Sequence, residues 1–226
     1  MVDILLVEDN KELASLMSRF LVRDGYSIYC VESGEKAIDF LKKDDAKLVI
    51  LDIMLPGIDG FAVCSSIREK GNIPIIILSA RTDKEDKING FTLGADDYLE
   101  KPIDIDILSA KISALFKRLY DIKENTSIIK SGQIEINQDT MEVSFKGKKL
   151  NLTIKEYDLL LLLIENKGKT LNKNYIFNTI WGEESESENQ TLTVHIKMLR
   201  DKIEEDSKNP VKIKTVWGVG YRYEEA

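Results

Sequence analysis

The stretch Leu48-Val-Ile-Leu-Asp-Ile-Met-Leu-Pro-Gly57 decides the fold of the first half of the chain. Four apolar residues lead to Asp52, and Pro56-Gly57 ends the element that they form. A short, unbroken apolar run bounded by turn residues predicts a strand buried on both faces, as in a parallel sheet. An aspartate at the carboxyl end of such a strand lies at the edge where open α/β folds bind ligands. Most strand-end aspartates only cap a turn or helix, so a functional role for Asp52 depends on its neighbours.

Strand and helix patterns alternate five times in the first half of the chain. Strands are predicted at 4–7, 27–31, 48–53, 75–78 and 97–99, and helices at 12–22, 35–41, 61–68, 84–93 and 104–118. Repeated βα units predict a doubly wound α/β domain, with a parallel sheet covered by helices on both faces. Neither a P-loop nor a G-x-G-x-x-G motif follows the first strand, which disfavours a nucleotide site.

The second half has the pattern of a winged helix-turn-helix. Short strands are predicted at 134–136, 142–145 and 150–152, followed by a helix that begins at the capping box Thr153-Ile-Lys-Glu156 and ends near Gly168. Two more helices are predicted at 173–181 and 190–204, and a two-stranded wing at 212–216 and 221–223. The predicted domains are therefore 1–119 and 127–226, joined by a polar linker at 120–126.

Composition excludes several classes of protein. The 226 residues suffice for two domains, and a hydrophobic fraction of 43% suffices for packed cores. No apolar run approaches the roughly 18 residues of a membrane span, and no basic region precedes the N-terminal strand, so a cytoplasmic protein is expected. Cys30 and Cys64 lack C-x-x-C spacing and are expected to be buried hydrophobes. With a net charge of −7, a nucleic-acid interface must arise from local charge placement.

Polar residues follow the predicted strands at one edge of the sheet. Glu8 and Asp9 end the first strand, Asp52 the third, Ser79 the fourth and Lys101 the fifth. If the strand order is 2-1-3-4-5, the three carboxylates converge at the topological switch point. Two unit charges about 4 Å apart cost on the order of 4 kcal/mol at an effective dielectric near 20. The cluster therefore requires a proton, a lysine or a hard divalent cation such as Mg²⁺.

These residues resemble the motifs of a known family. The first half is similar to the receiver domain of bacterial two-component response regulators, on Glu8-Asp9, Asp52, Pro56-Gly57, Ser79-Ala80, Gly94-Ala-Asp-Asp-Tyr98 and Lys101-Pro102. Residues 127–226 resemble the winged-helix effector domain of the OmpR/PhoB class, on 191–200 and Thr215-Val-Trp-Gly-Val-Gly-Tyr221. Within that class, the motifs are most similar to VanR-type regulators of glycopeptide resistance.

The resemblance implies that Asp52 accepts a phosphoryl group from a sensor histidine kinase. Lys101 would pair with the phosphoryl oxygens, and Mg²⁺ would be held by Glu8, Asp9, Asp52 and the backbone carbonyl of Met54. Positioning and charge neutralisation are most of what phosphoryl transfer requires.

The resemblance also implies a conformational switch and a dimer. Ser79 would move inward on phosphorylation and Tyr98 would rotate into the vacated space; the alternatives are a capping serine and an ordinary core tyrosine. A homodimer would form through the fourth helix, fifth strand and fifth helix, at Lys87, Asp96, Asp97, Lys111 and Arg118. Ile107 stands where the family usually has an acidic residue, so a different set of ion pairs is expected.

The last predicted helix has one apolar face and one polar face. Leu192, Ile196, Leu199 and Ile203 share the side expected to pack on the other helices. Helix-turn-helix proteins lay the opposite side in the major groove. Contacts with double-stranded promoter DNA are expected from Gln190, Thr193, Val194, His195, Lys197, Met198, Arg200, Lys214, Trp217 and Arg222. The alternatives are a merely solvated helix face, a His195 packed on the flank of the helix, and a Trp217 that packs the wing. RNA polymerase is a further expected partner.

Three hypotheses of function follow. The favoured one is a phosphorylation-switched transcription factor that accepts a phosphoryl group without being an enzyme in the ordinary sense. An aspartate-nucleophile phosphatase is disfavoured, because Met54 stands where such enzymes usually have a second acid. A regulator that works without phosphorylation is disfavoured by the intact set of polar residues at the sheet edge.

Overall fold

A computed structural model describes residues 1–80, 84–120, 128–182 and 188–225 of the chain. The chain divides into two compact units, Met1–Arg118 and Leu119–Ala226. The linker was predicted at 120–126. Tyr120 is the last residue of a helix that begins at Ile105, and 121–126 lies outside the described residues. None of the helices in these described ranges is both long enough and apolar enough to span a lipid bilayer.

The first unit alternates strands and helices, as predicted. Its strands are β1 Val2–Val7, β2 Ile28–Val31, β3 Ala46–Asp52, β4 Ile75–Ser79 and β5 Asp97–Glu100. Its helices are α1 Lys11–Arg23, α2 Gly34–Phe40, α3 Gly60–Lys70, α4 Lys84–Thr92 and α5 Ile105–Tyr120. Every strand pair is parallel and the order is β2-β1-β3-β4-β5, which confirms the doubly wound fold.

The central strands have apolar side chains on both faces because helices cover both sides of the sheet. Leu5 and Val49 pack with α2 and α3, whereas the neighbouring Leu6 and Ile50 pack with α1 and α5. All four side chains are fully buried. Burying one such side chain contributes roughly 1.5–3 kcal/mol. The carboxyl ends of these strands are therefore held in place by a tightly packed core.

The start of α3 lies directly against the end of β3. The carboxylate of Asp59 accepts a hydrogen bond from the Ala62 N–H at 2.8 Å, which caps the helix. A Cβ atom at Gly60 would lie 2.2 Å from the carbonyl oxygen of Asp52, so a side chain at this position would displace one of the two backbones. The missing side chain of Gly60 thus allows the close approach that sets the position of Asp52.

Within the residues that the structure describes, the second unit contains two antiparallel sheets and three helices. The first sheet, in the order β6-β7-β8-β9, consists of Ile128–Ser131, Ile134–Asn137, Glu142–Phe145 and Lys148–Leu150. The helices are α6 Ile154–Glu165, α7 Lys173–Trp181 and α8 Glu188–Ile203. The second sheet, in the order β10-β12-β11, consists of Thr170–Asn172, Gly220–Tyr223 and Ile213–Val216. This arrangement confirms the winged helix-turn-helix.

Several local predictions were wrong. The wing has three strands rather than two, because the three-residue strand β10 pairs with β12 and is too short to show a period. Strand β6 was missed, and the segment predicted at 150–152 is shifted to Lys148–Leu150. Helix α6 begins at the predicted capping box but ends at Glu165, before Gly168. Cys64 is buried as expected, whereas Cys30 is exposed on the edge strand β2.

Candidate functional site

A cluster of charged side chains lies at the carboxyl edge of the five-stranded sheet. The Nζ of Lys101 donates to Oδ2 of Asp52 at 2.7 Å and to the two carboxylate oxygens of Glu8 at 2.8 and 3.1 Å. Glu8 and Asp52 are each only 2% exposed, while Asp9 is exposed. One oxygen from each of these three carboxylates lies within 4.8 Å of the others. The predicted convergence of the strand ends is therefore present.

The charges in this cluster are unbalanced. Burial raises the pKa of Glu8, and the nearby Asp52 carboxylate adds to this shift although Lys101 opposes it. Burial alone would lower the pKa of Lys101, but its hydrogen bonds with Asp52 and Glu8 outweigh burial and raise it. The ammonium of Lys101 binds two carboxylates, and a third, Asp9, lies beside them open to solvent. This donor set fits a hard divalent cation that keeps part of its water shell.

The backbone orients the Asp52 carboxylate. Its Oδ1 accepts a hydrogen bond from the Met54 N–H at 2.9 Å, while Oδ2 faces Lys101. Each oxygen of Asp52 therefore has a different partner. Lys101 itself follows β5 and precedes Pro102 through a cis peptide bond. Its N–H donates to the Ser79 carbonyl at 2.8 Å, which ties the lysine to the end of β4.

Ser79 and Tyr98 occupy neighbouring strands beside the charged cluster. Ser79 is fully buried at the end of β4. Tyr98 on β5 is half-buried, and its ring centroid lies 6.4 Å from that of Phe91. Gly90 lies against the same ring, because a Cβ atom there would be 3.3 Å from Cδ2 of Tyr98. Ser79 and Tyr98 thus lie on adjacent strands, and their role as a switch stays a prediction.

The residues predicted for the dimer face are in different environments. Asp97 and Lys111 form an ion pair within the chain at 2.8 Å, and Arg118 is exposed at the end of α5. Ile107 is 50% exposed. Lys87 belongs to α4, but its side chain lies outside the described residues.

Asp96 was wrongly predicted to lie on the dimer face. It is 4% exposed and accepts hydrogen bonds from the Ile75 N–H and from Nη2 of Arg68, both at 2.9 Å. The same guanidinium donates to the Gly94 and Ile73 carbonyls. Asp96 therefore joins α3 to the start of β5 inside the first unit.

Helix α8 presents the predicted polar face. Leu192, Ile196, Leu199 and Ile203 are buried, which confirms the packed face. On the other side, Thr193 and Lys197 are exposed, and Val194 and Met198 are half-exposed. Gln190 lies on α8, but its side chain is outside the described residues.

His195 was wrongly predicted to contact DNA. It is fully buried, its Nδ1 lies 2.9 Å from the Thr191 carbonyl oxygen, and its ring meets Trp181 edge-on at 5.0 Å between centroids. Burial lowers the pKa of His195. The helical spacing explains this position, since His195 lies three residues after Leu192 and four before Leu199. It belongs to the apolar face despite being polar.

Arg200, which was predicted to contact DNA, is half-buried and hydrogen-bonded within the domain, so its contact with DNA stays a prediction. Its Nε and Nη2 donate to the Ile213 carbonyl at 3.0 and 2.6 Å, and Nη2 also donates to Oγ1 of Thr215 at 2.9 Å. The guanidinium carbon lies 5.8 Å from the centroid of the Tyr221 ring. Arg200 therefore connects α8 to the wing.

The predicted contacts on the wing are accessible to different degrees. Trp217 is 89% exposed at the tip. Lys214 and Arg222 are directly opposite on β11 and β12, and both pair with Glu224. DNA would compete with this carboxylate for the two cations.

Two carboxylates of the second unit, the buried Glu156 and the half-buried Glu204, were not recognised as important from the sequence. Glu156 is 1% exposed and accepts two hydrogen bonds from Nζ of Lys202, at 2.8 and 2.6 Å, which links α6 to α8. Glu204 accepts backbone hydrogen bonds from the start of the wing. The capping box pointed to Glu156, but nothing in the local pattern pointed to Glu204.

Comparison with known proteins finds one matching family in each half of the chain. Residues 4–113 match the family described as "Response regulator receiver domain", and residues 147–223 match "Transcriptional regulatory protein, C terminal". The chain is 40% identical to "Regulatory protein VanR" of Enterococcus faecium over 227 residues, covering 98% of each chain. It is 36% identical to "Sensory transduction protein RegX3" of Mycolicibacterium smegmatis, covering 99% of this chain and 100% of the relative. Among solved structures, the response regulator DrrB of Thermotoga maritima, an OmpR/PhoB homolog, shares 33% identity, 99% coverage of both chains and a TM-score of 0.51.

Proposed function

The chain belongs to the response regulators that join a receiver domain to a C-terminal transcriptional regulatory domain of the OmpR/PhoB type, and from this premise we propose that phosphorylation of Asp52 switches its binding to promoter DNA. The observation that carries the proposal is the buried contact of Asp52 with Lys101 beside Glu8.

The proposed reaction is transfer of a phosphoryl group from the phosphohistidine of a sensor kinase. An oxygen of Asp52 forms the new P–O bond while the P–N bond to the donor imidazole breaks, and the imidazole leaves with the electron pair. Lys101 lies where it would pair with the incoming phosphoryl oxygens. The chain supplies position and positive charge, which are the main requirements of phosphoryl transfer. It is proposed to be a phosphoacceptor that loses its phosphoryl group slowly, not an enzyme with an external substrate.

Mg²⁺ is the proposed cofactor of this transfer. Glu8, Asp9 and Asp52 would hold it together with the backbone carbonyl of Met54. The fit rests on the convergence of three carboxylates, of which only Glu8 and Asp52 bind the ammonium of Lys101 among the contacts described. When bound, the ion would neutralise charge on the phosphoryl oxygens.

Ser79 and Tyr98 are the proposed switch. The hydroxyl of Ser79 would donate to a phosphoryl oxygen, and Tyr98 would turn inward. A shift of population from 1:99 to 99:1 requires about 5.5 kcal/mol of differential interaction. Contacts of the phosphoryl group with Ser79, Lys101 and the cation together are of that order.

The phosphorylated chain is proposed to dimerise through α4, β5 and α5. Asp97, Lys111 and Arg118 remain candidates for this face, and the exposed Ile107 would add an apolar contact. Asp96 is not part of this proposal because Arg68 already holds it.

Helix α8 and the wing are the proposed DNA-binding surface. Lys197 would contact phosphate, and Thr193, Val194 and Met198 would face base edges in the major groove. By its similarity to VanR, the chain is proposed to act at promoters of glycopeptide-resistance genes. Contact with RNA polymerase stays a prediction.

The first experiment is phosphorylation with acetyl phosphate, with and without Mg²⁺, read by intact mass and by oligomeric state. We expect one Mg²⁺-dependent adduct, absent in Asp52→Asn, and a shift toward dimer. Asp39→Asn is the control, since Asp39 is exposed on α2 and pairs with Lys42. Its adduct should match the wild type. An adduct that persists in Asp52→Asn would refute the assignment. If a cognate kinase also gave no adduct, the alternative of a phosphorylation-independent regulator would gain support.

A further inference from the structure

Two residues one helical turn apart hold Ile213, the first residue of strand β11 of the wing, from both sides. Arg200 on α8 donates from Nε and Nη2 to the Ile213 carbonyl at 3.0 and 2.6 Å. Glu204, which directly follows α8, accepts the Ile213 N–H through Oε1 at 2.8 Å. The backbone N–H and the carbonyl of Ile213 are thus both hydrogen-bonded to side chains, the carbonyl to Arg200 on α8 and the N–H to Glu204 directly after it.

The contact extends along the chain on each side of Ile213. Oε1 of Glu204 also accepts the Lys212 N–H at 2.8 Å, and Oε2 accepts the Val211 N–H at 3.1 Å. Nη2 of Arg200 also donates to Oγ1 of Thr215 at 2.9 Å. We call the set Arg200, Glu204, Ile213 and Thr215 the helix–wing clasp.

An acidic residue at this place is not explained by the helix alone. A negative charge at the C-terminus of a helix opposes the helix dipole, and an acid on a DNA-binding domain opposes the phosphate backbone. Glu204 gains instead from three backbone N–H donors that all belong to the chain entering β11. Hydrogen bonds to a charged acceptor are about twice as strong as neutral ones. The carboxylate is therefore directed at the wing.

We propose that Glu204 is a positioning residue for DNA binding, which fixes the wing relative to helix α8 through the helix–wing clasp without contacting DNA itself. This inference rests on the proposed DNA-binding function. A helix and a wing that must enter their sites together bind better when their relative position is set beforehand, since less freedom is lost on binding. Trp217 lies at the tip of the strand that the clasp anchors, so the effect of Glu204 should pass through the wing tip.

The test compares Glu204→Gln with Glu205→Gln in the full chain. The neighbouring Glu205 is exposed and pairs with Lys146, outside the clasp. The probe is a fluorescein-labelled duplex selected from a random library with the wild-type protein, and binding is read by anisotropy. Removing a negative charge should strengthen DNA binding slightly in Glu205→Gln. Glu204→Gln should instead weaken it about tenfold, because the lost charge loosens the clasp.

A double-mutant cycle with Trp217→Ala distinguishes positioning from general damage. If Glu204 acts through the wing, Glu204→Gln should weaken DNA binding less than about twofold in a chain that also carries Trp217→Ala. Hydrogen exchange should show faster exchange of the amides of Val211, Lys212 and Ile213, with helix α8 still protected. Equal weakening in both backgrounds, or wild-type affinity with a loosened clasp, would overturn the inference.

A milder variant covers the case in which Glu204→Gln does not fold. Thr215→Val removes one hydrogen bond of Arg200 and keeps the shape of the side chain. Thr215→Val should also weaken DNA binding, and this weakening should disappear in the Trp217→Ala background. If either result is not observed, the inference is overturned. A wild-type chain that selects no duplex at all would refute the proposed function itself, and the inference with it.

Discussion

The ammonium of Lys101 lies 2.7 Å from Oδ2 of Asp52 and 2.8 Å from Oε2 of Glu8. One cation that follows the fifth strand therefore links two carboxylates, at the ends of the first and the third strand. All three side chains are largely buried. Breaking a buried pair leaves an uncompensated charge, which costs far more than the loss of an exposed pair. The cluster therefore governs the stability of the receiver domain as well as its proposed chemistry.

Lys101→Met should destabilise the receiver domain by about 3 kcal/mol at pH 7 and slow phosphorylation at least about tenfold. Part of the lost stability should return between pH 7 and pH 5. Burial already raises the pKa of Glu8, so its protonated form is favoured in the folded state and stabilises it as pH falls. Urea unfolding followed by circular dichroism measures this, with Lys117→Met on the exposed side of α5 as control. If Lys101→Met lost the same stability at pH 5 as at pH 7, protonation of Glu8 would not be the reason for the recovery.

Gly60→Ala should destabilise the same domain by several kcal/mol and reduce the yield of the phosphoryl adduct. Its Cβ atom would lie 2.2 Å from the carbonyl oxygen of Asp52, so the acceptor must move. Gly71→Ala is the matched control, since no atom outside its chain neighbours lies within 4 Å of the new Cβ and its φ of 171° is extended. Thermal unfolding and intact mass give the two readouts. A normal adduct in a stable Gly60→Ala variant would show that the contact is dispensable.

Asp96→Asn should cost about 3 kcal/mol of stability, because it leaves the buried Arg68 guanidinium without its charged partner. Asp97→Asn, one residue further along, removes a half-exposed pair with Lys111 and should cost less than about 1 kcal/mol. Urea unfolding of the two variants side by side measures the difference. If Asp96→Asn were as stable as Asp97→Asn and impaired only dimerisation, the original assignment to the dimer face would have been right.

The effector domain should lose stability as pH falls below about 6.5, with a slope approaching 1.4 kcal/mol per pH unit. Burial lowers the pKa of His195 in the folded state, so the unfolded chain binds the proton first and is favoured by acid. The charges of Glu156, Lys155 and Lys202 act on the same ring. Fluorescence of the adjacent Trp181 during urea unfolding reports this domain. His195 is the only histidine, so a flat profile is expected for His195→Gln between pH 7 and pH 5.5, and an unchanged slope would rule out His195 as its source.

Lys197→Ala should weaken binding to all DNA sequences and reduce the salt dependence by about one unit of slope. Lys197 is exposed on the open face of α8, as a phosphate contact requires. Anisotropy titrations at several salt concentrations measure the slope. Lys42→Ala makes the same charge change in the receiver domain and should leave it unchanged. An unaltered slope in Lys197→Ala would remove this residue from the interface.

The fold could be predicted because its main signals are local. The apolar runs of β1, β3 and β4 are long enough to show burial on both faces, and the strand order then places Glu8 beside Asp52. Strand β10 could not be predicted, since its three residues exist as a strand only through their pairing with β12. Helix patterns were correct wherever the period extended over several turns.

The assignments of Asp96, His195 and Arg200 did not include their contacts within the protein. Each of the three side chains has a polar partner inside its own domain. Those partners are distant in sequence for Asp96 and Arg200, so no local pattern identifies them. For His195 the spacing from Leu192 and Leu199 did contain the answer, and the helical period outweighs residue type there.

The two oxygens of Asp52 are chemically distinct before any phosphoryl donor arrives. Oδ1 is held by the Met54 N–H and Oδ2 by the ammonium of Lys101. Formation of the P–O bond at Oδ1 would break the hydrogen bond from the Met54 N–H. If the bond formed at Oδ2, the flexible side chain of Lys101 could move with the negative charge and pair with the phosphoryl oxygens. In the proposed transfer, the turn after β3 would therefore favour attack by Oδ2, because the backbone already binds Oδ1.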